Sequence, residues 1–146
     1  MTALVIGFGN PDCGDDAAGP LVARLLAGRI AARVLERHGD ALALLDVWEG
    51  AALLVLVDAA APMDTPGRIH RLDLTTDLPR ELSVGSVHSF GLPEAVALSR
   101  RLGTLPPRVV VYAIEGWCFD VGGTVSAAVA DAVGTVAERI ATELSG

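Results

Sequence analysis

Cysteine, aromatic and basic residues are all scarce in this chain, and each scarcity removes a class of protein. Two cysteines, Cys13 and Cys118, in 146 residues cannot build a disulfide framework, and no Cys-x-x-Cys pair suggests a structural zinc. Lys and Arg number 11 against 18 Asp and Glu, a formal net charge of −7. No basic stripe exists to neutralise phosphates, so nucleic acid is not an expected partner. Aromatic residues are 4% of the chain while apolar residues are 51%, so small Ala and Val side chains carry much of the hydropathy. Long apolar runs are missing as well. The longest, AALLVLV at 51–57, stops at Asp58, far short of the roughly 20 residues that a membrane span needs. The start, MTALVIGFGN, has no basic segment ahead of its apolar run and does not read as a signal peptide. There is no repeat, low-complexity tract or linker. One domain over residues 1–146 in a reducing cytoplasm is the expectation, with a size at which about two-thirds of the unfolded surface can be buried.

The apolar pattern alternates between strand and helix. Ala3–Gly7 is a short apolar run closed by Gly7, Gly9 and Asn10, which predicts a buried strand feeding a tight turn. Leu21, Leu25 and Leu26 recur at helical spacing, and that helix starts between Asp15 and Pro20, where an Asp can cap it and Pro is tolerated. Arg33–Glu36 reads as a weak strand, and Leu42, Leu45, Val47 and Trp48 as a short helix ending near Gly50. Leu53–Val57 is a continuous apolar run, typical of a strand covered on both faces. Gly67–Leu72 alternates and suits an edge strand. Thr75–Phe90 reads as a loop, Leu92–Leu102 as a helix with Pro93 in its first turn, Arg108–Ile114 as the last strand, and Ser126–Leu144 as a long C-terminal helix. The fold class is therefore α/β: a single three-layer domain with a mostly parallel, twisted sheet of about five strands flanked by helices.

In such a sheet, functional residues belong at the carboxyl ends of the strands, near a switch in strand order. Three strand ends carry ionisable groups: Asp12, Asp15 and Asp16 after the first, Asp58 at the end of the central one, and Glu115 at the end of the last. Right-handed crossovers bring these ends to one edge, and Asp16 and Asp58 share a crevice if the first and third strands are neighbours. His88 lies in the long loop, a frequent source of site residues. Two carboxylates and an imidazole can hold a divalent transition metal with coordination positions left open. The same residues also admit a plain reading, with Asp15 capping a helix, Asp16 solvated, His88 a polar loop residue and Glu115 a solvated strand end. Other chemistries fit less well. Gly7-Phe8-Gly9 begins like a dinucleotide-binding turn, but Asp12 stands where the third glycine belongs, and three aspartates would repel a pyrophosphate. Neither a G-x-S-x-G elbow nor an H-E-x-x-H motif is present.

The segment GFGNPDCGDDAAGP at 7–20 resembles the N-terminal signature of hydrogenase maturation proteases, the endopeptidases that trim the large subunit of nickel-iron hydrogenases. The family pattern is a strand, Gly-x-Gly-Asn, a few residues, an acidic pair and a helix-opening Gly. The resemblance continues at VLVDAA (55–60), at SVHSFGLPEAVALSRRLG (86–103) and at PPRVVVYAIEGWCFDVGGTVSAAV (106–129), so that matching blocks cover nearly the whole chain in order. Departures are Ala17 where many members have Gly, HGDALALLDVWEG (38–50) where some carry Asp-Gly-Gly-Thr, and Phe90 where a small or polar residue is common near the histidine.

By this resemblance the metal ligands and site residues are Asp16, Asp58 and His88. It implies an endopeptidase that removes a C-terminal extension from the large-subunit precursor after nickel insertion, with the nickel supplied by the substrate and other divalent transition metals able to occupy the site. Asp16, Asp58 and Glu115 are the carboxylates that could activate water, and the metal could instead polarise the carbonyl or the water. The expected partner is the precursor, with no nucleic acid or membrane and a monomeric enzyme. The alternative is a metal-sensing chaperone that holds the large subunit without cutting it.

Overall fold

The computed structural model describes residues 2–74 and 91–145. Three apolar runs form the centre of the sheet: β1 (Ala3–Phe8), β3 (Leu53–Ala60) and β5 (Arg108–Glu115), each buried after its first residue. Runs of this kind have no polar face and must be covered on both sides. The more polar segments, β2 (Arg33–Arg37) and β4 (Ile69–Asp73), take the two edges. The order is β2-β1-β3-β5-β4, all parallel except the β4–β5 pair, which is antiparallel. The expected five-stranded, mostly parallel three-layer architecture is therefore present.

Alternation along the strands sorts the core into two halves. Val5, Val55, Val57, Val110, Tyr112 and Ile114 face α1 (Ala18–Leu26) and α4 (Ala127–Ser145), meeting Val22, Leu26, Val129, Val133 and Ile140. Leu4, Ile6, Leu54, Leu56, Val109 and Val111 face α2 (Leu44–Trp48) and α3 (Leu92–Leu102), meeting Leu44, Trp48, Leu92 and Val96. Each such fully buried aliphatic side chain contributes roughly 1.5–3 kcal/mol relative to exposure. On the second face Trp48 Nε1 donates to Ser99 Oγ at 2.9 Å, so the one polar atom of the largest buried side chain is satisfied.

At its start, where Gly19 crosses Gly7, helix α1 lies against the sheet with no side chain between them. A Cβ on Gly7 would stand 2.1 Å from the Gly19 carbonyl oxygen, and one on Gly19 would stand 2.4 Å from that of Phe8 and 2.6 Å from that of Val57. This close approach fixes the start of α1 over the boundary between β1 and β3, where the strand order switches.

Several local expectations change. The strand expected to end at Asp58 runs on to Ala60, because Ala59 and Ala60 are small and apolar enough to stay in the sheet. Helix α1 begins at Ala18, within the expected interval, but it follows a short 3-10 turn at Gly14–Ala17 and no Asp side chain caps it. Leu25, expected on its apolar face, is exposed; Val22, Ala23 and Leu26 are buried instead. The predicted loop at Thr75–Phe90, with His88 in it, lies outside the described residues. Among the described residues, no helix is long and apolar enough to cross a membrane.

Candidate functional site

The first strand hands the chain to a turn that only glycine can make. Gly9 has φ +146°, and a Cβ there would stand 2.1 Å from the Asp16 carbonyl oxygen. The missing side chain lets the 3-10 turn fold back over the end of β1. Asn10 then donates its backbone N–H to Asp16 Oδ2 at 2.8 Å, while its own Oδ1 accepts from the Asp12 N–H at 2.9 Å. Asp16 is thereby held, half-buried, above the switch point.

Asp58 comes to the same place from the neighbouring strand. β1 and β3 pair in register up to Gly7 opposite Val57, so Asp58 sits one residue beyond that pairing, beside the turn. Its side chain lies on the α2/α3 face with Leu54 and Leu56 and is 7% exposed. Oδ1 accepts from the Ala59 N–H at 2.8 Å. Burial pushes the Asp58 carboxyl well above the usual carboxylate range; the negative charge of Asp16 pushes it the same way, and the Ala59 N–H partly opposes both. Among the described residues no Arg or His forms an ion pair with Asp16 or Asp58. The two carboxylates thus come together at the switch point, near enough for the charge of Asp16 to act on Asp58. The third expected ligand, His88, lies outside the described residues. Among those described, no group of three or more His, Cys, Asp or Glu could hold a metal ion.

Asp15 and Glu115 differ from the plain readings given to them. Asp15 caps nothing on its own helix. It is 1% exposed, and its carboxylate accepts from Trp117 N (2.8 Å), Cys118 N (3.2 Å), Ser126 N (2.7 Å) and Ser126 Oγ (3.1 Å). The Asp15 N–H also donates to the Cys118 carbonyl at 2.8 Å. Asp15 therefore ties the β5–α4 connection to the turn after β1 and places a negative charge at the start of α4, where the helix dipole favours it. Glu115 is not solvated but buried, on the same sheet face as Asp58, since Asp58 is in register with Ala113 and Ala60 with Glu115.

His70 is a residue that sequence reasoning passed over. It pairs with Ala113 across β4–β5, so it shares a cross-sheet row and a face with Asp58, and its Nε2 is buried without a hydrogen-bond partner among the described residues. The only signal was the polar position within the alternating edge strand, and that alternation alone could not say which face is covered.

The model of the hydrogenase maturation protease family matches residues 30–143. Among solved structures, the hydrogenase 3 maturation protease is 25% identical, with 95% of this chain and 88% of that one covered and a TM-score of 0.73. The hydrogenase maturation protease HycI of Thermococcus kodakarensis is 22% identical over 99% of this chain and 93% of its own, TM-score 0.78. The maturating endopeptidase HybD of E. coli is 18% identical over 96% and 90%, TM-score 0.76. No curated protein sequence matches the chain. The family match spans most of the chain, including β3 with Asp58 and β5 with Glu115, and the fold agrees with it: the chain belongs to the hydrogenase maturation protease family and is a peptidase.

Proposed function

We propose that this peptidase removes a C-terminal extension from the large-subunit precursor of a nickel-iron hydrogenase, and that it does so after nickel insertion. The nickel belongs to the substrate and is held by Asp16, Asp58 and His88. The observation that carries this reading is the pair of carboxylates at the switch point, one of them buried, with no cationic partner among the described residues. Two facing carboxylates repel one another unless a cation or a proton joins them, and a divalent ion relieves the repulsion directly.

The donor set suits this role. Two carboxylate oxygens and an imidazole nitrogen are ligands that nickel accepts, and three ligands leave positions for the precursor's own. A precursor without nickel lacks the contact and meets the Asp16–Asp58 repulsion uncompensated, so the ion serves as the readiness signal. A strand-end crevice suits a flexible terminal peptide, which can be laid across it in extended form.

The test is intact mass spectrometry of the large-subunit precursor after incubation with the protein, with nickel-loaded and nickel-free precursor side by side. Loss of a C-terminal peptide from the loaded precursor alone is expected, and His88→Ala should abolish it. Cleavage of both forms would remove the nickel checkpoint. A stable complex with the loaded precursor, and no mass loss in either sample, would favour the chaperone.

A further inference from the structure

The last strand ends in a carboxylate that the sheet buries. Glu115 is 1% exposed; its Oε2 accepts from Met63 N at 3.0 Å and Thr65 N at 2.6 Å, and its Oε1 is buried with no partner among the described residues. The main chain is joined at the same place. Gly67 N donates to the Glu115 carbonyl at 2.7 Å, Glu115 N to that of Arg68 at 2.9 Å, and Gly116 N to that of Ala60 at 2.9 Å. The connection from β3 to β4 is thus fastened to the end of β5 through side chain and backbone together.

Burying a carboxylate is expensive, and what this one holds in place is a turn whose large side chain faces water. Met63 is 64% exposed. Trp117, two residues beyond Glu115, is 67% exposed, and its own N–H is held by Asp15. Both ride on main chain fixed by buried carboxylates: Met63 follows the end of β3, the strand that carries Asp58, and Trp117 follows the end of its parallel neighbour β5. Main chain that is already fixed at both positions has lost backbone freedom that binding would otherwise cost, and Trp is a frequent anchor of protein contacts.

We propose that Met63 and Trp117 form a preorganised apolar rim that grips the polypeptide substrate beside Asp16 and Asp58, and that Glu115 is the positioning residue that sets this rim. The occupant is a segment of the precursor that bears a large apolar side chain near the cleaved bond. A second copy of this chain seated there would cover the strand ends. Glu115 does not itself touch substrate or water, because one oxygen is taken by two backbone donors and the other is inaccessible. This inference rests on the proposed processing reaction.

The experiment measures kcat and KM for cleavage of the nickel-loaded precursor, with the melting temperature of every variant. Met63→Ser combined with Trp117→Ser should raise KM about tenfold while kcat stays within about twofold, the size expected for losing an interface anchor. Glu115→Ala should raise KM similarly. Glu115→Gln should recover most of that loss, because its amide oxygen can accept the same two hydrogen bonds. Leu25→Ser, exposed on α1, is the control and should leave KM unchanged. An unchanged KM in the double variant would overturn the rim. A fall in kcat for Glu115→Gln at unchanged KM would make Glu115 a proton-transfer group instead. If Glu115→Ala does not fold, the double variant decides, since both of its side chains face solvent. Wild-type enzyme that binds but never cleaves overturns the processing reading, and the inference falls with it.

Discussion

Asp15 and Asp16 are neighbours in the chain and opposites in the fold. Asp15 is sealed by four donors from the β5–α4 connection, so its charge is spent on holding the molecule together. Asp16 accepts one backbone N–H and turns the rest of its charge toward Asp58. One acidic pair thus divides into a carboxylate saturated with hydrogen bonds and a carboxylate that confronts another. The saturated one stabilises; the confronted ones store a repulsion that a bound cation can release.

The largest effect expected from breaking this contrast is at Asp15. Asp15→Ala removes the acceptor from three backbone N–H groups and one hydroxyl, in a region packed so closely that a Cβ on Gly116 would already meet Asp15 Cβ at 3.1 Å. Hydrogen bonds to a charged acceptor contribute about 1.5–3 kcal/mol each, and donors left buried cost more, so a loss of about 3 kcal/mol or more is expected. Urea unfolding of wild type and variant measures it. A loss below 1 kcal/mol would show that water replaces the carboxylate.

Asp58 should behave in the reverse sense. Its carboxyl is raised by burial first and by Asp16 second. An acid whose pKa is higher folded than unfolded stabilises the fold at low pH, and that contribution is lost as pH rises from the ordinary carboxylate range through the raised value. In metal-free protein, Asp58→Asn removes the buried charge, so its melting temperature at neutral pH should exceed wild type by on the order of 3 °C, with the difference shrinking as pH falls toward 4. The same variant should lose processing of the precursor. Lower stability at pH 7 with processing intact would show that the ionised carboxylate is satisfied by a partner and is no ligand.

The contrast between these acids explains what could be read from the sequence. The Asp16–Asp58 juxtaposition was legible because it follows from two apolar runs, a glycine turn and parallel adjacency, all local or topological. The function of Asp15 was not, because its partners lie 102 to 111 residues away and nothing near it in sequence signals them. Glu115 was misread for a related reason: a charged residue closing an apolar run looks like the point where a strand reaches water, and only the return of residues 63–65 over it reverses that. The edge position of β4 was legible from its alternation, whereas the extension of β3 through Ala59 and Ala60 was not, since two alanines favour neither strand nor turn.

The smallest effect, and one of opposite sign, belongs to a surface carboxylate. Glu143 on α4 accepts from Arg71 Nε and Nη2, each at 3.0 Å, and from the Tyr112 hydroxyl. Arg71 holds its carboxyl below the usual range, against some desolvation. A depressed folded pKa stabilises above the unfolded value and is lost as pH falls through the depressed one, the opposite slope to that of Asp58. The pair is about a third exposed, so solvent screening limits its contribution to about 0.2–1 kcal/mol. Glu143→Gln should therefore lower stability slightly at pH 7 and converge on wild type below pH 4, where Asp58→Asn converges from the other side. Melting curves of the two variants from about pH 2 to about pH 8 test this directly. Parallel rather than opposite differences from wild type would mean that net charge, not the local settings of these two carboxylates, governs the pH dependence.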